Sequence, residues 1–202
     1  MHRMGLRLAF LTLFGVLPLA AQRPVSSGTS NTPLGEVSLN YAYVLARTVN
    51  QAGCCFNAHG GNVSVSVNLN EWLALVQDFG GYYAGNIHNS GLTLRLFSYT
   101  AGPRISMNKS GRLTPFVQGL FGGAHAGGTL YTRGFQQGSA PPQPQDSFAM
   151  ILGGGLDVNV SRNFAIRTVQ ADWFFTKFPN GKTNRQHNLR ITTGVVFRFG
   201  SR

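Results

Sequence analysis

Charge is what this 202-residue sequence has least of. Only 11% of its residues are charged, with 6 Asp and Glu against 17 Lys and Arg, and just three of those are lysines. An ordinary soluble domain carries about 25% charged residues, so a conventional water-solvated surface is a poor fit. The formal net charge of +11 does not form a stripe or a tail. The arginines are scattered singly, which argues against a nucleic-acid partner. Cysteine is as scarce: Cys54 and Cys55 are the only two, and they are adjacent. That excludes a disulfide framework and, with no ligand cluster beside them, a zinc site. The pair reads as loop thiols open to oxidation in an exported protein, since neighbouring cysteines make a strained bridge with each other. After the first twenty-odd residues no apolar run approaches the ~20 residues of a spanning helix. A membrane role would therefore need a closed barrel, the other structure that satisfies every backbone polar group in lipid.

What is present begins with an export signal. His2, Arg3 and Arg7 precede an apolar stretch from Leu8 to Leu19, and Ala20-Ala21-Gln22 offers a small-residue cleavage site. Residues 1–21 are expected to be a cleaved signal peptide and residues 22–34 a disordered lead-in. Residues 35–200 then form a single domain.

Within that domain the dominant pattern is period-two alternation, the mark of strands with two different faces. In NVSVSVNLN, Val63, Val65, Val67 and Leu69 oppose Asn62, Ser64, Ser66, Asn68 and Asn70. Residues 36–47 and 189–200 repeat it. Eight strands are expected, over 35–47, 61–70, 72–84, 92–107, 113–127, 147–160, 164–177 and 186–200. Their connections alternate strictly between tight turns (70–71, 108–112, 161–163) and long loops (48–60, 85–91, 128–146, 178–185), as in outer-membrane barrels.

Alternation alone does not say which face is wet. The polar face is built from Ser, Asn, Gly, Thr and Ala, small enough for a narrow eight-strand lumen. Aromatic residues fall near strand ends, at Trp72, Tyr82, Tyr83, Tyr131, Trp173 and Phe197, where interfacial girdles sit. Both features favour polar-in and apolar-out: an all-β, eight-stranded antiparallel up-and-down transmembrane β-barrel in the cell outer membrane.

The segments PLGEVSLNYAYV (33–44), NVSVSVNLNEWLALVQDFGGYY (62–83), GPRISMNKSGRLTPFVQGLFGGAH (102–125) and GGGLDVNVSRNFAIRTVQADWFF with LRITTGVVFRFG (153–175, 189–200) resemble the OmpA-like transmembrane β-barrel in its single-domain outer-membrane form. The resemblance covers residues 35–200. It implies a monomer, placed in the membrane by the barrel-assembly machinery and in contact with outer-membrane lipid or lipopolysaccharide. The sequence departs from the pattern at its end, where Phe199 is followed by Gly200-Ser201-Arg202. It also stops at strand eight, so the peptidoglycan tethering of longer members is not carried over.

With the polar face inside, the lumen receives Glu36, Asp78, Arg104, Asp157, Arg167 and Arg190. An unpaired charge there would cost several kcal/mol, so a structural polar cluster is expected ahead of a gate, and Asp157 is expected to pair with Arg167 across the 161–163 turn. In strand seven strict alternation fails: Arg167 and Asp172 cannot both point inward unless a β-bulge near Thr168-Val169 flips the faces. Outward His125 and His187 are the candidates for a lipid-modifying catalyst, but no serine stands convincingly beside them and no G-x-S-x-G motif exists. No catalytic residue, cofactor or metal ligand is assigned. Loop cations Arg47, Arg133, Lys177, Lys182 and Arg185 are candidates for lipid phosphates. The expected function is structural or surface-interacting, with weak pore activity left open. The alternatives are a lipid-modifying enzyme and a soluble exported ligand-binding barrel.

Overall fold

The computed structural model describes residues 32–47, 55–107, 111–130, 145–178 and 184–200. The expected signal peptide, most of the lead-in, Tyr131, Arg133 and Lys182 lie outside the described residues. The chain forms eight strands: β1 Gly35–Ala46, β2 Phe56–Asn68, β3 Leu73–Ile87, β4 Leu92–Ser106, β5 Leu113–Gly127, β6 Gln145–Asn159, β7 Phe164–Thr176 and β8 Gln186–Phe199. Each pairs antiparallel with the next, and β8 returns to β1, closing the barrel. Closure leaves no edge strand, so every strand has hydrogen-bonded neighbours on both sides.

Alternation sets the register because a one-residue slip would turn every side chain to the wrong face. Leu39, Val63, Phe79 and Tyr99 stand in one outward row across β1–β4. Val63, Val65, Val67 and Leu69 are 37% to 51% exposed, while Asn62, Ser64, Ser66 and Asn68 are buried. Apolar side chains thus cover the outside and polar ones the inside, the reverse of a water-soluble barrel. One rim carries the β2–β3, β4–β5 and β6–β7 connections together with Gly35 and Phe199, which face each other. On that rim Asn70 shapes its turn by accepting from the Trp72 and Leu73 amides at 2.9 and 2.7 Å, an Asx turn. The other rim carries the four remaining connections.

Several boundaries differ from the sequence expectation. β2 starts at Phe56 rather than 61, and its first residues reverse the polarity rule: Phe56 and Ala58 are buried while Asn57 and His59 are exposed. The expected long loop 85–91 is instead a continuation of β3 to Ile87 followed by a tight turn. Asn86, His88 and Asn89 take left-handed φ values of 50°, 52° and 56° there, and Asn86 accepts from the Gly91 amide at 3.1 Å. Period-two reading fails at this point because β3 changes register between Ala84 and Ile87. β6 begins at Gln145, inside the expected loop 128–146.

The bulge in strand seven is present. Leu156 faces Val169 and Asp157 faces Arg167, so Thr168 has no partner on β6, and β8 shifts register over the same residues. Its freed polar groups are satisfied locally. The Thr168 hydroxyl donates to the Leu156 carbonyl and the Thr193 hydroxyl to the Arg167 carbonyl, both at 3.0 Å. Beyond the bulge Gln170 and Asp172 point inward, while Val169 and Trp173 point out. Phe175 shares the outward parity but is covered by the rings of Trp173 and His187.

Candidate functional site

The inside of the barrel is mixed. Val44, Leu96, Leu120, Ile151 and Phe174 belong to an apolar cluster in it, with Arg190 the register partner of Val44. The sequence expectation of a polar lumen throughout is corrected here. Toward the upper rim, the one with the β1–β2 and β3–β4 connections, Phe56, Ala58, Ala84 and Leu94 are buried, while Gln186 and Asn188 keep β8 polar, and period two alone does not reveal which face is inside.

The barrel also encloses an ionic network. Glu36, Asp78, Arg104, Asp157, Arg167 and Arg190 are all buried. Asp172, which the expected bulge turns inward, and Arg198 join them, making four carboxylates and four guanidiniums. Arg190 of β8 is the centre. Its Nη1 lies 2.9 Å from Asp78 of β3 and its Nη2 2.7 Å from Asp172 of β7. Nη1 also donates to the Tyr82 hydroxyl at 3.0 Å. From Asp172 the chain continues through the Gln170 amide at 2.7 Å to Arg167 at 3.1 Å, and Arg167 grips Asp157 with two bonds of 2.8 and 3.1 Å. At the other end Asn62 donates to Asp78 at 2.6 Å. Five strands are tied together by this one connected network. Two-point geometry at Asp157 and neutral donors on Asp78 and Asp172, from Asn62 and Gln170, offset the desolvation cost of burying these charges, although Asp172 Oδ1 has no hydrogen-bond partner among the described residues.

Arg198 pairs with Glu36 at 3.3 Å near the rim and donates to Asn159 at 2.6 Å. Arg104 forms no ion pair among the described residues. It donates to the Gln118 carbonyl oxygen at 3.1 and 2.8 Å, and its guanidinium lies 4.6 Å from the Phe116 ring centre. Arg167 lies 4.5 Å from the same centre, so Phe116 offers its π-cloud to both cations. Asp172 could be placed inside only once the bulge was recognised. Arg198 alternates with Phe197 and Phe199, and that parity was the available clue. Tyr82, expected in an aromatic girdle, is instead inside: it shares the parity of Asp78 and packs on Phe174 with ring centres 5.9 Å apart.

Outside, Trp72, Tyr83, Trp173 and Phe197 are 39% to 53% exposed. His187 stacks on Trp173 at 5.5 Å and 9°. His125 meets Asp146 of β6 at 2.8 Å. Its register partner on β4 is Phe97 and its outward neighbours on β5 are Gly123, over which the Tyr99 hydroxyl lies, and Gly127. Cys55 is disulfide-bonded, and Cys54 is the only other cysteine in the chain. Among the described residues no cluster of His, Cys, Asp or Glu could hold a metal.

No protein-family model matches this chain, and no curated protein matches it. Among solved structures, Neisserial surface protein A superposes with a TM-score of 0.61 at 15% identity, over 85% of this chain and 99% of that one. The attachment invasion locus protein Ail of Yersinia pestis superposes at 0.52 and 21% identity, over 82% and 99%. A second Ail structure, in complex with the heparin analogue sucrose octasulfate, gives 0.51 and 20%, again over 82% and 99%. These neighbours are eight-stranded outer-membrane barrels, and the chain has their fold.

Proposed function

We propose that the chain is an integral outer-membrane barrel with a closed interior, acting as a structural and surface-interacting protein. The observation that carries this is the inversion of polarity. Large apolar side chains from Leu39 to Phe199 stand exposed around the wall, while four ion-paired or hydrogen-bonded arginines are buried within it. In water such a surface would aggregate; in a bilayer it is the required solvent match. Export by a signal peptide over residues 1–21 and delivery by the barrel-assembly machinery belong to the same reading.

The interior supports a plug rather than a pore. A conducting lumen needs a continuous wet path. Here Leu120, Ile151 and Phe174 pack inside the barrel, and the Asp78–Arg190–Asp172 cluster ties β3, β7 and β8 together across it. No serine, threonine or cysteine stands among the β4 and β5 register neighbours of His125, so we propose no catalytic role for the His125–Asp146 pair. Exposed cations at the upper rim, Arg47, Lys177 and Arg185, favour anionic lipid headgroups.

Two measurements test this together. The purified chain should need detergent and should migrate differently on gels before and after boiling. In planar bilayers the folded form should give no steady conductance steps. Solubility without detergent would sink the membrane assignment, and regular steps would sink the closed interior alone.

A further inference from the structure

Arg95 is an anomaly on the barrel wall. Among the described residues it is the only Lys or Arg side chain that points outward from a strand; Arg104, Arg167, Arg190 and Arg198 all point inward. It makes no ion pair or hydrogen bond with any described residue. On β4 the outward apolar run from Ile105 to Phe97 spans about 20 Å of height at the usual rise and tilt, close to the ~25 Å apolar band of such barrels. Arg95 is the next outward position, so it stands at the headgroup boundary on the long-loop side.

Beside it the wall is hollow. A groove of about 600 Å³ is lined by His59, Gly81, Tyr83, Arg95, Phe97 and His125. The register makes it: His59, Tyr83 and Arg95 form one outward row, and Gly81, Phe97 and His125 the row beneath. Gly81 is its floor. A Cβ added there would meet nothing within 4 Å. Tyr83 does not cover the gap, because its ring leans toward the rim over Gly85, where an added Cβ would lie 3.1 Å from its hydroxyl. Below the floor the outward row is apolar, with Val63, Phe79 and Tyr99. The two histidines are held from behind. His59 Nδ1 shares a 2.6 Å hydrogen bond with the Tyr41 hydroxyl, and His125 Nδ1 lies 2.8 Å from Asp146. When the Tyr41 hydroxyl donates to Nδ1, the remaining His59 nitrogen carries its hydrogen and becomes a donor.

We infer that this groove binds a phosphate-bearing membrane lipid, with the phosphate on Arg95 beside His59 and an acyl chain laid over Gly81 onto the apolar row below. The inference rests on the membrane reading above and adds a site to it. The features are complementary: an unpartnered planar cation for an oxyanion, polar donors at headgroup height, and a bare glycine floor continuous with the apolar belt. Asp146, the carboxylate nearest by register, is turned to His125 and does not face Arg95 across a strand pair.

The test is native mass spectrometry of the full barrel released from detergent micelles doped with dioleoyl phosphatidic acid or with dioleoylglycerol. Folding of every variant is first checked by the boiling-dependent gel shift. One phosphatidic acid per barrel should be retained in preference to the diacylglycerol. Arg95→Gln should weaken retention about tenfold, the worth of a charge-assisted contact. Gly81→Leu fills the groove from a position with open space above it, so it should fold and lose the lipid. Arg162→Gln, at an exposed arginine in a turn on the opposite rim, should change nothing. Equal retention by the parent and Arg95→Gln, or equal retention of the diacylglycerol, would overturn the site. So would displacement of the lipid by millimolar inorganic phosphate, which would mark a free-anion site. A barrel that shows the gel shift but keeps no lipid removes this site and leaves the membrane reading intact; a barrel soluble without detergent removes the membrane reading itself.

Discussion

At the scale of single residues the interior arginines are not equivalent. Arg190 neutralises two buried carboxylates, Asp78 and Asp172, whereas Arg104 is held by Gln118 and a phenyl ring. Removing one partner of a buried pair leaves the other charge stranded, at a cost of about 3–5 kcal/mol. Arg190→Met should therefore lower unfolding stability in liposomes by at least that much. Arg104→Met strands no carboxylate and keeps an apolar contact with Phe116, so its cost should be smaller by ~2 kcal/mol or more. Equal midpoint shifts in urea for the two variants would mean that the network does not act through charge pairing. The Asp157–Arg167 pair makes a second case. Asp157→Arg and Arg167→Asp should each destabilise the barrel, and the double exchange should recover part of the loss; strictly additive effects would show that the 2.8 Å contact carries no coupling.

At the scale of elements, β7 depends on the spacing across its bulge. Thr168 and Val169 together fill one outward place, so deleting Thr168 alone would leave Arg167, Gln170 and Asp172 inward in a regular ladder. Deleting both Thr168 and Val169 would set Arg167 and Gln170 on adjacent places and turn one side of β7 toward lipid. A charge at the bilayer midplane costs up to about 2–4 kcal/mol for Arg, and the ion pairs of Arg190 or Arg167 would be broken as well. The double deletion should abolish the boiling-dependent gel shift, while the single deletion and Thr168→Ala should keep it. A folded double-deletion variant would show that facing does not hold β7 in place. β6 carries a matching constraint. A Cβ at Gly153 would run into the Ala171 carbonyl oxygen and the Asp172 side chain, so Gly153→Ala should destabilise by about 1–3 kcal/mol through overpacking at the ionic plug. A neutral result in the same urea titration would indicate that β6 and β7 can separate at no cost.

At the scale of the whole molecule the two rims should face different compartments. The termini of the barrel, Gly35 and Phe199, share one rim with the 161–163 turn, and the Asn86–Gly91 turn lies on the other. An epitope inserted at Asn89 should be reached by antibody on intact cells, and one at Asn163 only after the outer membrane is opened. The reverse labelling would invert the topology, and with it the placement of the Arg95 groove at the outer leaflet.

The alternation of small polar and large apolar residues determined by itself that the chain makes two-faced strands and roughly where they run; closure into a barrel followed from that pattern together with the scarcity of charge and the alternating short and long connections. Side-chain period is a local property, and it survives in any register that keeps one face in lipid. The failure of period at Arg167 and Asp172 was legible for the same reason, since two charges on opposite parities cannot both avoid the bilayer without a bulge. Only the tertiary structure decided what meets what. It brought Arg190 to Asp78, 112 residues away in sequence. It turned Tyr82 inward although its place near a strand end suited a girdle, and it set an apolar cluster beside the ionic network inside the barrel. Those outcomes depend on the stagger of eight strands around a closed wall, which sets the height of each residue relative to strands far away in sequence. The groove beside Arg95 has the same origin: its residues come from four strands, and only the closed register places a bare glycine next to a free guanidinium at the membrane boundary.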